Sequence, residues 1–576
     1  MLPLPDFDRR LFGSENTIMR IGRGELGGKG AGLIAISERL KEFSARYSAF
    51  TVDIPKMVVL TTDVFSSFME QNNLYGLVEQ EDLSDDRIAM AFDRAELPYE
   101  IVGDLRALAE EVVIPLAIRS SSLLEDAMYR PFAGVYSTKM IPNNKPSRDE
   151  RFFQLARAVK FVFASTFFNS ARQYRKSLKD VCCEEKMAVI IQEIVGTRLN
   201  DRFYPTVSGV LRSYNFYPTG HAEPEDGVCS LALGLGKTIV DGEPSWNFSP
   251  AYPKAPPPFN NLGDMMKFTQ TGFWAVNMGM KPNYDPLGEN EHLFRGDLTD
   301  ADYDDSLRFI ASTYDVRSDR LMPGVGVKGP RVLDFAPLFY FEDPAFDELL
   351  RDLLKAGQEH LSTPVEIEFA MSLDLKRGVP ARFGFLQIRP MVVSSDRVDL
   401  SEDELCGENV LVGCESTLGN GTKENVKDIV YVVPETFGPA VTREIARDLG
   451  KINDTLVDNN TPYLLIGFGR WGTSDPACGV PVQWGQISGA RAIVEVALPD
   501  MDAGMSQGSH FFHNLTSFGV FYFSLPVGCE TGVDWHRLGA QREIAATSYV
   551  RHVRCDKPLS IAVDGRSGKG VIKYND

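Results

Sequence analysis

A chain of 576 residues has room for about two to four ordinary domains, and 43% hydrophobic with 24% charged residues is the balance of a folded protein, not a disordered one. Acidic residues outnumber basic ones by 79 to 60, a formal charge of −19, which argues against any general affinity for nucleic acid or anionic membrane; a polyanion site must be locally basic. No stretch approaches the roughly 18 uncharged apolar residues of a membrane span, and the opening MLPLPDFDRR has no signal-peptide core, so a cytoplasmic location is expected.

Along the chain, α/β patterning comes first. LGGKGAGL (26–33) places Gly28 and Lys29 ahead of a helical stretch from 31 to about 42, and strand-like MVVLTT (57–62) follows. Glycines let a ligand approach backbone amides, and a helix N-terminus favours anions. The spacing is not that of a P-loop, so a flexible turn competes with a phosphate cradle here. In AIRSSSLLEDAMYRPFAGVYST (117–138), Arg119 ends an apolar segment, where it could clamp phosphate oxygens as a planar fork or sit in an ordinary salt bridge. The step Phe132, Ala133, Gly134 reads as a lid over phosphates or as a plain hairpin.

A helical run is expected from 149 to 179, then the strand AVII (188–191). Proline is dense from 244 to 286, which reads as an irregular excursion. Helical periodicity returns at 344–361, and the strands VEIEF (365–369) and FGFLQIRP (383–390) come next. Alternate side chains of a strand share a face, so Glu366 and Glu368 oppose Val365, Ile367 and Phe369, while Gln387 and Arg389 oppose Leu386 and Ile388. Pairing of the two strands would bring Glu366, Glu368, Gln387 and Arg389 together. Neighbouring carboxylates repel unless a cation lies near, and hard oxygen ligands suit Mg²⁺; cross-strand ion pairs on a solvent face are the competing explanation.

The polar stretch SSDRVDLSEDELCGE (394–408) is the best domain boundary, and a second domain of mixed strands and helices runs on to 576. Eight cysteines without any C-x-x-C read as buried thiols, and seven histidines form no ligand cluster, so carboxylates must hold any catalytic metal.

LGGKGAGL, AIRSSSLLED, PFAGVYST, VIIQEIV, ALGLGKTIVDG, VEIEF and FLQIRPM occur in that order. Together they resemble the ATP-grasp-type nucleotide-binding domain of the phosphoenolpyruvate synthase and pyruvate phosphate dikinase family, over roughly residues 13–393. The resemblance implies an α/β fold in which ATP lies between two subdomains of a domain spanning 1–395, followed by a smaller mixed α/β domain over 408–576. It further implies that Lys29, beside Gly28, and Arg119 contact phosphate, and that the loop holding Phe132, Ala133 and Gly134 is the lid. Gln192, Glu193 and Val195 would form the adenine hinge. Glu368 and Gln387 would ligate Mg²⁺, Glu366 would support them or bind ribose, and Arg389 would face the transferring phosphates.

Two departures qualify this picture. Lys237 stands after G-L-G in LGLGKTIVDG, where the family usually has an acid. Its phosphohistidine signature G-G-x-[ST]-x-H is also absent, and the 181 residues after position 395 are fewer than the ~250 of a TIM barrel, which argues against pyruvate phosphorylation by this chain alone. LVGCESTLGNGTKENVKDIVYV loosely resembles the start of the family's swivelling domain, and SQGSHFF (506–512) offers His510 as an acceptor or as a structural histidine, with His513 three residues on. GFGRWGTSDPACGVPV (467–482) reads as an anion loop around Arg470 or a turn packed by Trp471, and GRSGKG (565–570) as a hairpin turn. The expectation is an ATP- and Mg²⁺-dependent phosphotransferase with an unidentified acceptor. The rival is a nucleotide sensor or scaffold whose C-terminal domain contacts a protein partner.

Overall fold

The computed structural model describes residues 4–10, 18–80, 83–122, 125, 134–177, 185–255, 257, 259, 261–279, 282, 285, 288–340, 346–373, 379–393, 398–473, 478–498, 509–528 and 532–575, with backbone only at 176, 177, 340, 509, 510, 512 and 513. Two sheets frame its N-terminal part. The first has the order Ile18–Ile21, Met57–Leu60, Met187–Glu193, Leu116–Ser122, Thr138–Ile141. The second has the order Trp246–Phe248, Val228–Ala232, Val207–Arg212, Val365–Ser372, Ala381–Pro390, Phe50–Asp53.

The helix Gly27–Arg46 joins them. Leu33, Ile36, Leu40 and Phe43 recur at helical spacing, and all four are buried. They share one apolar cluster with Met57, Val59 and Ile190 of the first sheet and Ile367, Phe369 and Phe383 of the second. Each such side chain contributes about 1.5–3 kcal/mol on burial. Arg46 in the last turn complements the helix dipole. At the other end Gly27 has φ +73°, and a Cβ there would stand 1.6 Å from the Ser121 carbonyl oxygen. Glycine is required at this position because the helix start is pressed onto the Leu116–Ser122 strand.

Two expectations are corrected. The run expected over 149–179 is two helices, Arg148–Ser165 and Asn169–Ser177. Between them Phe167 turns inward against Phe65 and Phe92, a tertiary demand that the continuous apolar run FVFASTFF does not reveal. The proline-dense stretch is also more regular than expected. Trp246–Phe248 forms an edge of the six-stranded sheet, Leu262–Phe268 is a helix, and Gly272–Asn277 lies inside a further sheet with Leu293–Asp297 and Arg202–Tyr204.

Beyond residue 409 a nine-stranded sheet takes over, in which Gly421–Val432, Tyr463–Phe468, Ala490–Val496 and Phe521–Leu525 run parallel. The segment GRSGKG turns the hairpin between Val550–Asp564 and Lys569–Lys573. This domain touches both lobes. Phe518 meets Tyr174 edge-on at 5.9 Å and stacks on Trp484 at 5.3 Å, within an apolar cluster continuous with the first sheet's helices. On the other lobe Arg470 Nη1 donates to the Gly242 carbonyl at 2.7 Å. Trp471 is buried, with its indole N–H directed at the Val494 carbonyl. Of the cysteines, Cys229, Cys414 and Cys555 are buried as expected, whereas Cys406 is exposed. Among the described residues no helix is long and apolar enough to cross a membrane.

Candidate functional site

A cleft of about 320 Å³ opens between the two sheets. Its character differs from end to end. At the charged end Arg119 reaches from the first sheet to the second: Nη1 donates to the Leu386 carbonyl (3.1 Å), and Nη2 donates to Glu368 Oε2 (3.2 Å) and Gln387 Oε1 (2.9 Å). Lys29, on the first turn of the joining helix, donates to Glu125 Oε1 (2.7 Å) and to the Ser120 carbonyl (3.2 Å). Glu125 is buried and also accepts from Ser120 Oγ (2.9 Å) and the Ser122 N–H (3.0 Å). Cations and carboxylates are thus paired within the protein itself.

The two strands VEIEF and FGFLQIRP pair as antiparallel neighbours, placing Glu366 opposite Arg389 and Glu368 opposite Gln387. The register shifts by one residue between Glu368 and Phe369. Leu386 therefore departs from simple alternation and borders the cleft, whereas Ile388 stays in the core. Glu368 and Gln387 line the cleft. Glu366 and Arg389 lie two pairs further along and are buried, outside its wall. There Glu366 accepts from Arg389 Nε (2.8 Å) and from Arg212 Nε (2.6 Å), so one carboxylate holds two buried guanidinium groups.

The opposite end is apolar, lined by Ala117, Met140, Ile194, Val195, Leu235 and Leu293. Gln192 and Glu193 close the Met187–Glu193 strand and also line the cleft. The Glu193 and Ile194 N–H groups are bound to the Lys56 and Pro115 carbonyls. Among the described residues the Val195 N–H has no such partner, although Val195 is buried. Burial raises the pKa of the Glu193 carboxyl, opposed by Arg382 and Lys56. Lys237 lines the cleft and pairs with Asp241 at 2.9 Å, so an acid stands four residues beyond the place where the family motif has one.

Gly134 lines the cleft with φ +68°. Phe132 and Ala133 lie outside the described residues. Gly28 is the second residue of the joining helix. His510 and His513 belong to the helix Ser509–Ser517, which packs on the short helix Lys237–Val240; their side chains are outside the described set. Sequence reasoning missed Glu125, Asp241 and Glu289, whose Oε1 accepts from the Thr138 N–H at 3.0 Å. Only Glu125 carried a signal, as an acid six residues after Arg119 in a serine-rich turn.

Residues 23–256 match the family model for the pyruvate phosphate dikinase AMP/ATP-binding domain. Over that stretch the chain carries this AMP/ATP-binding domain. Its two lobes about one cleft are the ATP-grasp-type arrangement, and the strands bearing Glu368 and Gln387, beyond the matched stretch, complete the cleft in space. An uncharacterized phosphotransferase of Bacillus subtilis, YvkC, is 30% identical over 189 residues, which is 33% of this chain and 20% of that protein. The phosphoenolpyruvate synthase of Aeropyrum pernix is 26% identical over 241 residues, 38% of this chain and 26% of that protein. The chain thus spans only about a fifth to a quarter of the length of these two relatives.

Proposed function

We propose that this chain is an ATP- and Mg²⁺-dependent phosphotransferase, with the base at the apolar end of the cleft and the phosphates at the end bearing Lys29 and Arg119. The observation that carries this reading is the convergence of Lys29, Arg119, Glu368 and Gln387 on one cleft whose other end is apolar. The Val195 N–H, which has no backbone partner among the described residues, and its neighbouring carbonyls suit the edge of a planar base. Lys29 and Arg119 offset phosphate charge and hold the phosphates in line, which is most of what phosphoryl transfer asks of a protein.

Glu368 Oε2 and Gln387 Oε1 both lie within hydrogen-bonding distance of one cationic nitrogen, Arg119 Nη2. That convergence of two hard oxygens fits a divalent cation, with the remaining ligands coming from phosphate and water. When bound, Mg²⁺ supplies charge neutralisation at the transferring phosphoryl group. With the carboxylate so engaged, Arg119 would be available to the phosphates.

The acceptor site favoured here is the junction of the C-terminal domain with the cleft. The His510 helix abuts the helix whose Lys237 and Val240 line the cleft. A histidine of this helix, a partner protein's histidine or a small molecule docked at the junction would take the phosphoryl group as its bond to the ATP bridging oxygen breaks.

Incubation with γ- and β-labelled ATP, worked up to preserve acid-labile phosphohistidine, is expected to give labelled protein or release of AMP or ADP. Saturable binding without turnover would establish the sensor reading instead. Lys29→Ala and Arg119→Ala are each expected to weaken ATP binding about tenfold to a hundredfold, the value of one or two charged hydrogen bonds, measured by calorimetry. Adenosine affinity should stay unchanged, because the apolar end is untouched.

A further inference from the structure

Behind the strand Thr138–Ile141 lies a second cavity, of about 510 Å³. Thr138 and Met140 face the nucleotide cleft, whereas Lys139 and Ile141, by the alternation of the same strand, face this cavity. The segment before Leu293–Asp297 divides likewise: Glu289 and Asn290 line the cleft, and Glu291 and His292 line the cavity. One strand and one segment therefore form a wall common to both spaces, tied by the Thr138 N–H bond to Glu289.

The cavity is rich in cations. Lys139, Lys145 and Arg157 line it, facing Glu150 and Glu291. Lys139 pairs with Glu291 at 2.8 Å and Arg157 with Asp93 at 2.9 Å, while Lys145 is exposed and makes no ion pair among the described residues. His292 is buried at the centre, its Nε2 3.4 Å from Gln154 Nε2 and 3.6 Å from Glu291 Oε2. Among the described residues the Gln154 amide oxygen has no hydrogen-bond partner, and rotation of the side-chain amide would present it to a ligand hydroxyl. Asn144 and Asn277 add polar edges.

We propose that this cavity binds a small hydroxylated phosphate ester, its phosphate between Lys145, Arg157 and His292 and a hydroxyl on Gln154, and that occupancy changes nucleotide affinity through the common wall. A phosphate dianion takes several donors at once, and the arginine fork and lysine ammonium supply them. Burial first, and then Lys139, Lys145 and Arg157 against the opposing Glu291, push the His292 imidazole down to about 4. A dianion beside it would draw that value upward, which makes His292 a local reporter. Binding in the cavity is independent of the nucleotide reading, while the coupling rests on it.

The test uses the full chain with ¹³C-labelled histidine and glycerol 3-phosphate as probe. A saturable shift of the His292 resonance, with a rise in its pKa, is expected in the unaltered protein and equally in Lys29→Ala/Arg119→Ala. Lys145→Glu, at an exposed position, should weaken it about tenfold, and Lys145→Arg should retain it. No His292 response at millimolar probe, or a response lost in the cleft variant and unaffected by Lys145→Glu, overturns the site. For the coupling, ATP affinity should change severalfold with probe in the unaltered protein but not in Lys145→Glu. An unchanged ATP affinity alongside a clear His292 shift overturns the coupling alone.

Discussion

Glu368→Gln is expected to lower Mg²⁺-dependent turnover by on the order of 10²–10³-fold, the loss typical when a charge-stabilising group is removed from a reacting centre. The substitution keeps shape and one oxygen and removes only the negative charge. Arg119 retains its bonds to Gln387 and the Leu386 carbonyl, so the two sheets stay bridged. Metal-free nucleotide binding should therefore be nearly unchanged, and the loss should fall on kcat and on the apparent affinity for Mg²⁺. Steady-state kinetics over a Mg²⁺ series, with calorimetry in chelator, separates the two. Turnover within twofold of the parent at saturating Mg²⁺ would remove Glu368 from the metal site.

Glu366→Ala is expected to be the most damaging single change to stability, about 3–5 kcal/mol. Glu366, Arg389 and Arg212 are all buried, and the one carboxylate faces two guanidinium groups. Its removal leaves two positive charges in a low-dielectric interior with their main counter-charge gone. Glu366→Gln, which keeps hydrogen-bond acceptors, should cost less. Replacing all three by apolar residues of similar volume should recover much of the loss, because an absent charge needs no partner. Urea unfolding followed by circular dichroism reads the order: alanine worst, glutamine intermediate, the apolar triple near the parent. A Glu366→Ala variant as stable as the parent would show that this triad is not held by its charges.

The paired carboxylate strands could be read from sequence because a period of two is a strong signal and the facing pairs follow once the strands are adjacent. The bulge beside Glu368 could not. It depends on one extra residue in the partner strand, and it places the Leu386 carbonyl where Arg119 finds it. The glycines of LGGKGAGL were legible as a close approach, but what approaches the backbone at Gly27 is the Ser121 carbonyl of the protein itself. Lys29 was legible as a cation of the cleft; its partner Glu125 was not, since 96 residues separate them. The short strand Trp246–Phe248 was hidden because nearby prolines mask a sheet edge, where few amides need partners. The C-terminal sheet was hardly legible, because parallel neighbours such as Tyr463–Phe468 and Ala490–Val496 are joined by long connections that sequence periodicity does not resolve.

The contacts of the C-terminal domain bear on how the molecule can move. It meets one lobe through Phe518 against Tyr174, and the other through the Arg470 hydrogen bond to Gly242 and the packing of the helix Ser509–Ser517 on Lys237–Val240. Because the slab beyond residue 409 touches both jaws, any swing of the jaws about the helix Gly27–Arg46 would have to displace one of these two contacts. Opening of the cleft and movement of the helix Ser509–Ser517 would then be mechanically linked, since that helix rests on the one bearing Lys237.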